Sequence, residues 1–137
     1  MAFKRQKRHL IKFEFEYTGD QGETKYLNYE VEHDTDLAQK LTDMGKLDFK
    51  TMSSTEAKQA LRRAYDTILG IGAMDDIQEK VFGGDDLLLT DYLGIGNYLI
   101  GEVDKANKEL VELTKTFIVN RNKDAVDGII VDEKWAT

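Results

Sequence analysis

Ile11-Lys12-Phe13-Glu14-Phe15-Glu16-Tyr17 is the stretch on which the fold turns. Ile11, Phe13, Phe15 and Tyr17 occupy every second position, and Lys12, Glu14 and Glu16 fill the gaps. A period of two belongs to a strand, whose successive side chains point to opposite faces. One face is therefore expected to be buried and the other wet. Turn residues follow in Thr18-Gly19-Asp20-Gln21-Gly22. A second alternation then sets Leu27, Tyr29 and Val31 against Asn28 and Glu30. The two runs predict a β-hairpin closed by a loop of about five or six residues. A two-stranded sheet alone is marginal in water, so its aromatic face must pack on helices.

Beyond the hairpin the period lengthens. Asp34 or Thr35 is placed to cap a short helix carrying Leu37, Leu41 and Met44, with Gly45 as its stop. Ser53-Ser54-Thr55-Glu56 has the form of a capping box, in which a hydroxyl and a carboxylate satisfy each other's backbone N–H groups. The helix behind it carries Ala57, Ala60, Leu61, Ala64 and Ile68 on one stripe and ends at Gly70, read as a left-handed cap. Residues 74–82 form another short helix, closed by Gly83-Gly84.

The longest helix is predicted over residues 86–119, capped by Asp85 or Asp86. Apolar or small residues recur at Leu88, Tyr92, Ile95, Leu99, Val103, Ala106, Leu110, Leu113 and Phe117. From Leu99 onward the spacing approaches a heptad, with Leu99, Ala106 and Leu113 in one column and Val103, Leu110 and Phe117 in the next. Gly94, Gly96 and Gly101 interrupt it at about 1 kcal/mol each. A break or bend between Gly94 and Gly101 explains them, and so does close approach of a neighbouring helix. The last residues, 120–137, lose helical period, and Ile129-Ile130-Val131 and Trp135 stand as an apolar cluster among acids. The expected fold is therefore α+β and predominantly helical: an N-terminal β-hairpin packed on about four helices, the last one long. Residues 1–10 read as a flexible basic start, 11–119 as one domain, and 120–137 as an acidic tail or strap.

Composition narrows the function. The 137 residues carry a formal charge of −7, and Lys4, Arg5, Lys7 and Arg8 leave −11 for everything after residue 9. A field of that sign repels phosphate backbones, so nucleic acid is not an expected partner. No apolar run approaches the ~20 residues of a membrane span. There is no cysteine, so no disulfide or thiolate metal site exists.

The chemistry-bearing motifs are also thin. His9 and His33 lie far apart in sequence and read as plain surface residues rather than metal ligands. No Gly-x-Ser-x-Gly elbow occurs. Gly70-Ile71-Gly72 and Gly94-Ile95-Gly96 imitate part of a phosphate loop, but neither continues as Gly-x-Gly-x-x-Gly, and there is no Gly-Lys-Ser/Thr. Asp75/Asp76 and Asp85/Asp86 are adjacent pairs of the kind 26 acids produce by chance. No enzyme, cofactor or metal is expected. What remains is the apolar stripe of the last helix, which serves either as core or as a surface for a partner helix or a second copy.

One segment resembles a known family. Asp66-Thr67-Ile68-Leu69-Gly70-Ile71-Gly72-Ala73-Met74-Asp75-Asp76-Ile77 is similar to a helix-joining segment in small tail proteins of long-tailed (siphovirus-type) bacteriophages and prophages of Gram-positive bacteria. The aromatic and acidic strands before it, Phe82-Gly83-Gly84 and the long helix after it agree with that likeness, which covers roughly residues 11–119. These are tail assembly chaperones. The resemblance implies a protein of the host cytoplasm that binds the tape-measure protein and shields its apolar helices until tail-tube subunits take its place. The major tail protein is a second implied partner, and self-association a further option. Tyr92, Leu99, Val103, Leu110 and Phe117 are the residues expected to serve packing or partner contact. A structural virion component, such as a tail-tube or head–tail connector protein, is the alternative. A small enzyme using Asp/Glu acid–base chemistry is a third.

Overall fold

The computed structural model describes residues 2–5 and 8–124, with the side chains of the last helix described as far as residue 115. Two strands, β1 (Leu10–Thr18) and β2 (Thr24–Glu32), pair antiparallel. The register sets Ile11 opposite Val31, Phe13 opposite Tyr29 and Phe15 opposite Leu27, so both predicted apolar sets share one face. On β1 these residues are buried, with Phe13 fully so, while Lys12, Glu14 and Glu16 are exposed. The strands leave five residues, 19–23, for the loop. The Gly19 N–H donates to the Glu23 carbonyl at 2.7 Å, and Gly22 turns the chain at φ +80°, where a side chain would be strained.

Residues just before β1 are held as well. Arg8 Nη1 lies 2.8 Å from both carboxylate oxygens of Glu32, and the His33 N–H donates to the His9 carbonyl at 3.0 Å. β1 begins at Leu10, the last residue of the stretch read as the basic start. A bifurcated contact from one guanidinium nitrogen and one extra ladder bond join residues 8 and 9 to the end of β2.

Three helices follow: α1 (Thr35–Gly45), α2 (Ser54–Leu69) and α3 (Ala73–Lys80), with a short 3-10 turn at Phe49–Thr51. Asp34 caps α1 by accepting from the Leu37 N–H at 3.0 Å. Gly45 is the last helical residue, without the positive φ of a glycine stop. At the start of α2, Ser53 Oγ accepts from the Glu56 N–H at 3.1 Å, as the capping box requires. The Glu56 carboxylate, however, accepts from the Ser53 hydroxyl rather than from its backbone. Gly70 ends α2 at φ +126° and ψ 151°, outside the left-handed helical region expected for it; Gly72 takes that region instead. The α3 N-terminus has no capping side chain of its own. Asp66, one helix earlier, fills the role by accepting from the Met74 N–H at 2.8 Å.

The last helix, α4 (Leu89–Asp124), is continuous through Gly94, Gly96 and Gly101, so of the alternatives left open for these glycines a break is not the one taken. Neither Asp85 nor Asp86 caps it. Asp91 reaches back from the first turn, its Oδ2 accepting from the Leu88 N–H at 2.8 Å. Its end also lies past the predicted boundary at residue 119, because the polar residues there, Asn120 to Asp124, extend a helix without needing apolar period. Residues 125–137, with the Ile129-Ile130-Val131 cluster and Trp135, lie outside the described residues.

The chain divides into two units, Met1–Glu102 and Val103–Thr137. In the first, the largest fully buried side chains are Phe13, Leu37, Tyr65, Met74, Ile77 and Leu99, so the hairpin face, α1, α2, α3 and the first turns of α4 share one core. In the second, Val103 and Ala106 are buried, and every described residue from 107 to 115 is exposed.

Candidate functional site

The polar atoms inside the first unit form one knot, and it is structural. Tyr65, only 1% exposed, donates its hydroxyl to the Tyr92 carbonyl at 2.6 Å, and the two rings stack with centroids 6.4 Å apart. Burial pushes the Tyr65 hydroxyl up to about 12, the neutral form being the one an apolar site favours. The hydroxyl reaches α4 because Gly96 has no side chain: a Cβ there would sit 2.5 Å from the Tyr65 oxygen. Of the two uses proposed for these glycines, close approach is the one realised at Gly96. At Gly94 and Gly101 nothing lies within 4 Å of an added Cβ.

Arg62, four-fifths of a helical turn away, ties three helices. Its Nη1 donates to Gln78 Oε1 at 2.9 Å and to the Tyr92 hydroxyl at 3.1 Å, and its Nη2 pairs with Asp75. Burial works against its charge, but the bonds to Tyr92 and Asp75 outweigh that and raise its pKa. Tyr98 makes the corresponding bond to the hairpin, its hydroxyl accepting from the Glu14 N–H at 2.8 Å while its ring meets Phe13 and Phe15 edge-on. Neither tyrosine stood out in the sequence. Tyr65 sits among alanines, and Tyr98 lies off the apolar stripe of its helix.

A groove of about 370 Å³ in the first unit is lined by β1, the end of α3 and the start of α4, and it carries three carboxylates, Glu14, Glu16 and Asp91. Each already holds a partner: Lys12 at 3.2 Å, the Tyr26 hydroxyl at 3.4 Å and the Leu88 N–H at 2.8 Å. His9 and His33, read from sequence as unrelated, meet at the open end of the hairpin with their Nδ1 atoms 2.9 Å apart. The register that carries on past Leu10 and Glu32 brings them opposite each other. Among the described residues no group of three or more His, Asp or Glu is placed to hold a metal ion. Nor is any described helix long and apolar enough to cross a membrane.

The five residues expected to pack or to bind separate into distinct environments. Tyr92 and Leu99 are core, with Leu99 fully buried. Val103 is 7% exposed. Leu110, one heptad on from Val103, is 44% exposed, and Leu113, one heptad on from Ala106, is 61% exposed. Val111 beside them is half-exposed. The side chain of Phe117 lies outside the described residues. Within the second unit the stripe is therefore buried at Val103 and Ala106 and exposed at Leu110 and Leu113. The hydroxyl of Thr114 is folded back onto the Leu110 carbonyl at 2.9 Å, and Glu112 pairs with Lys115 at 3.4 Å. Polar groups on that turn bond along the helix and leave Leu110 and Leu113 as its unsatisfied part.

No protein-family model matches this chain, and no curated protein or solved structure shows a significant likeness to it.

Proposed function

We propose that this chain grips an amphipathic helix of another protein, acting as a tail assembly chaperone whose client is the tape-measure protein in the host cytoplasm. The observation that carries the reading is the exposure of Leu110 and Leu113 on heptad columns whose earlier members are buried. Two exposed leucines at a spacing of three offer the repeat by which one helix takes the ridge of another. Lys108 and Glu109 flank Leu110, and Glu112 and Lys115 flank Leu113, so a client helix with charges of both signs beside its apolar ridge is the complementary one. An acidic, charged carrier also keeps a bound apolar helix dispersed. Replacement by the major tail protein as the tube grows releases the carrier without nucleotide hydrolysis.

Co-expression with the tape-measure protein tests this. The wild-type chain should keep the client in the soluble fraction, and the double variant Leu110→Glu, Leu113→Glu should leave it in the pellet. Finished particles should lack the chain. A client equally insoluble with and without the chain, or many copies of the chain in purified particles, would contradict the proposal.

A further inference from the structure

The two edges of the hairpin are treated differently. In this register the odd-numbered residues exchange the ladder bonds, as the His33 N–H to His9 carbonyl and Gly19 N–H to Glu23 carbonyl contacts at its two ends show. Backbone groups of even-numbered residues therefore point away from the partner strand. On β1 one of these, the Glu14 N–H, is taken by the Tyr98 hydroxyl at 2.8 Å. On β2 they belong to Tyr26, Asn28 and Glu30, and among the described residues nothing bonds to them. Three common protections of an open edge are missing: β2 is nine residues long, pairs one-to-one without a bulge, and has no proline, and its one inward-facing charge, Lys25, stands at the loop end of the strand. Its inward residues Leu27, Tyr29 and Val31 are only half-buried, whereas Ile11, Phe13 and Phe15 on β1 are buried.

We propose that β2 pairs antiparallel with β2 of a second copy of this chain, with the two-fold axis passing at Asn28. Across a two-fold the even-numbered residues, which alone offer outward bonds, always meet even-numbered ones, whichever residue lies on the axis. Centring on Leu27 or Tyr29 leaves two residues at one end of β2 beyond the partner strand. Centring on Glu30 sets that carboxylate against its own copy. Centring on Tyr26 leaves Glu30 and Glu32 beyond the end of the partner strand. Centring on Asn28 pairs all nine residues, and every pair is compatible: Asn28 with Asn28, Tyr26 with Glu30, Thr24 with Glu32, Leu27 with Tyr29, Lys25 with Val31. No carboxylate meets a carboxylate, and the apolar face of one sheet runs on into the next. This surface uses none of the residues proposed for helix binding.

Sedimentation of the full chain and single-cysteine cross-linking test the pairing. The wild type should sediment at twice its monomer mass. Asn28→Pro removes an N–H that the hairpin's own ladder does not use. It should weaken the dimer about thirtyfold, from two lost interchain bonds, while the circular dichroism spectrum stays that of the wild type. The native chain has no cysteine, so Asn28→Cys introduces a lone thiol. Across a two-fold at residue 28 the paired Cα atoms lie about 5.5 Å apart, within disulfide range. Cysteines at 26 or at 30 would meet their own copies only across about 13 Å. Oxidised Asn28→Cys should therefore run as a covalent dimer, and Tyr26→Cys and Glu30→Cys should not. A chain monomeric at all concentrations, a dimer unaffected by Asn28→Pro, or equal cross-linking at the three positions would overturn the proposal.

Discussion

Replacing Gly96 by alanine should destabilise this protein, although alanine is the better helix former. In an open helix position the change stabilises by about 1 kcal/mol. Here the new Cβ would stand 2.5 Å from the Tyr65 oxygen, and that side chain is 1% exposed with no room to retreat. Either the ring shifts and breaks its 2.6 Å bond to the Tyr92 carbonyl, or α4 moves. Losing a buried hydroxyl's bond costs about 1–3 kcal/mol, and overpacking costs about 1–3 kcal/mol more. After the helix-propensity gain, a net loss of about 1–5 kcal/mol is expected. In a Tyr65→Phe background the offending oxygen is gone and the nearest ring carbon lies 3.5 Å away, an ordinary contact. There Gly96→Ala should be neutral or should stabilise by up to about 1 kcal/mol. The double-mutant cycle, read by urea denaturation with a common slope, thus predicts a change of sign. The same cost in both backgrounds would refute the close approach as the reason for this glycine.

Three further outcomes follow from the same core. Gly94→Ala and Gly101→Ala, with nothing near the added methyl, should each raise stability by up to about 1 kcal/mol in the same denaturation assay. Arg62→Lys should cost about 1–2 kcal/mol, because one ammonium cannot span Gln78, Tyr92 and Asp75 as the guanidinium does; a neutral effect in a thermal melt would count against the knot. Tyr65 also sets an alkaline limit. Its folded-state pKa is raised, so its contribution is whole below the ordinary tyrosine value of about 10 and is lost as pH climbs through about 12. That loss amounts to roughly 2–3 kcal/mol, and Tyr65→Phe should flatten stability against pH by that share, while an unchanged profile would speak against it.

The parts of the fold legible in the sequence are those governed by one local rule. The period of two in residues 11–17 determined both strands' inward faces, because register and side-chain alternation share that period. Ser53 and Asp34 were legible as caps because a cap is a relation among neighbours three residues apart. Relations that cross the fold were not legible. Asp66 capping α3, Tyr98 blocking the β1 edge, and the meeting of His9 with His33 each join residues whose separation carries no pattern. Gly96 stood in the sequence as one of three equivalent glycines, and only the position of the Tyr65 hydroxyl distinguishes it. The apolar stripe of α4 was legible as a stripe. Its passage from buried Val103 and Ala106 to exposed Leu110 and Leu113 carries no mark in the heptad pattern, which runs on unchanged.

The account rests on Leu110 and Leu113 being a docking face rather than incidental surface. Both are exposed, so replacing them by glutamate should change folding stability by no more than about 0.5 kcal/mol. Calorimetric titration of helical tape-measure fragments into the wild type should show binding with a negative heat-capacity change, the mark of apolar burial. The Leu110→Glu, Leu113→Glu chain should bind at least about a hundredfold more weakly, since two desolvated leucines are lost. Equal affinity for the two chains, with both folded, would contradict the account.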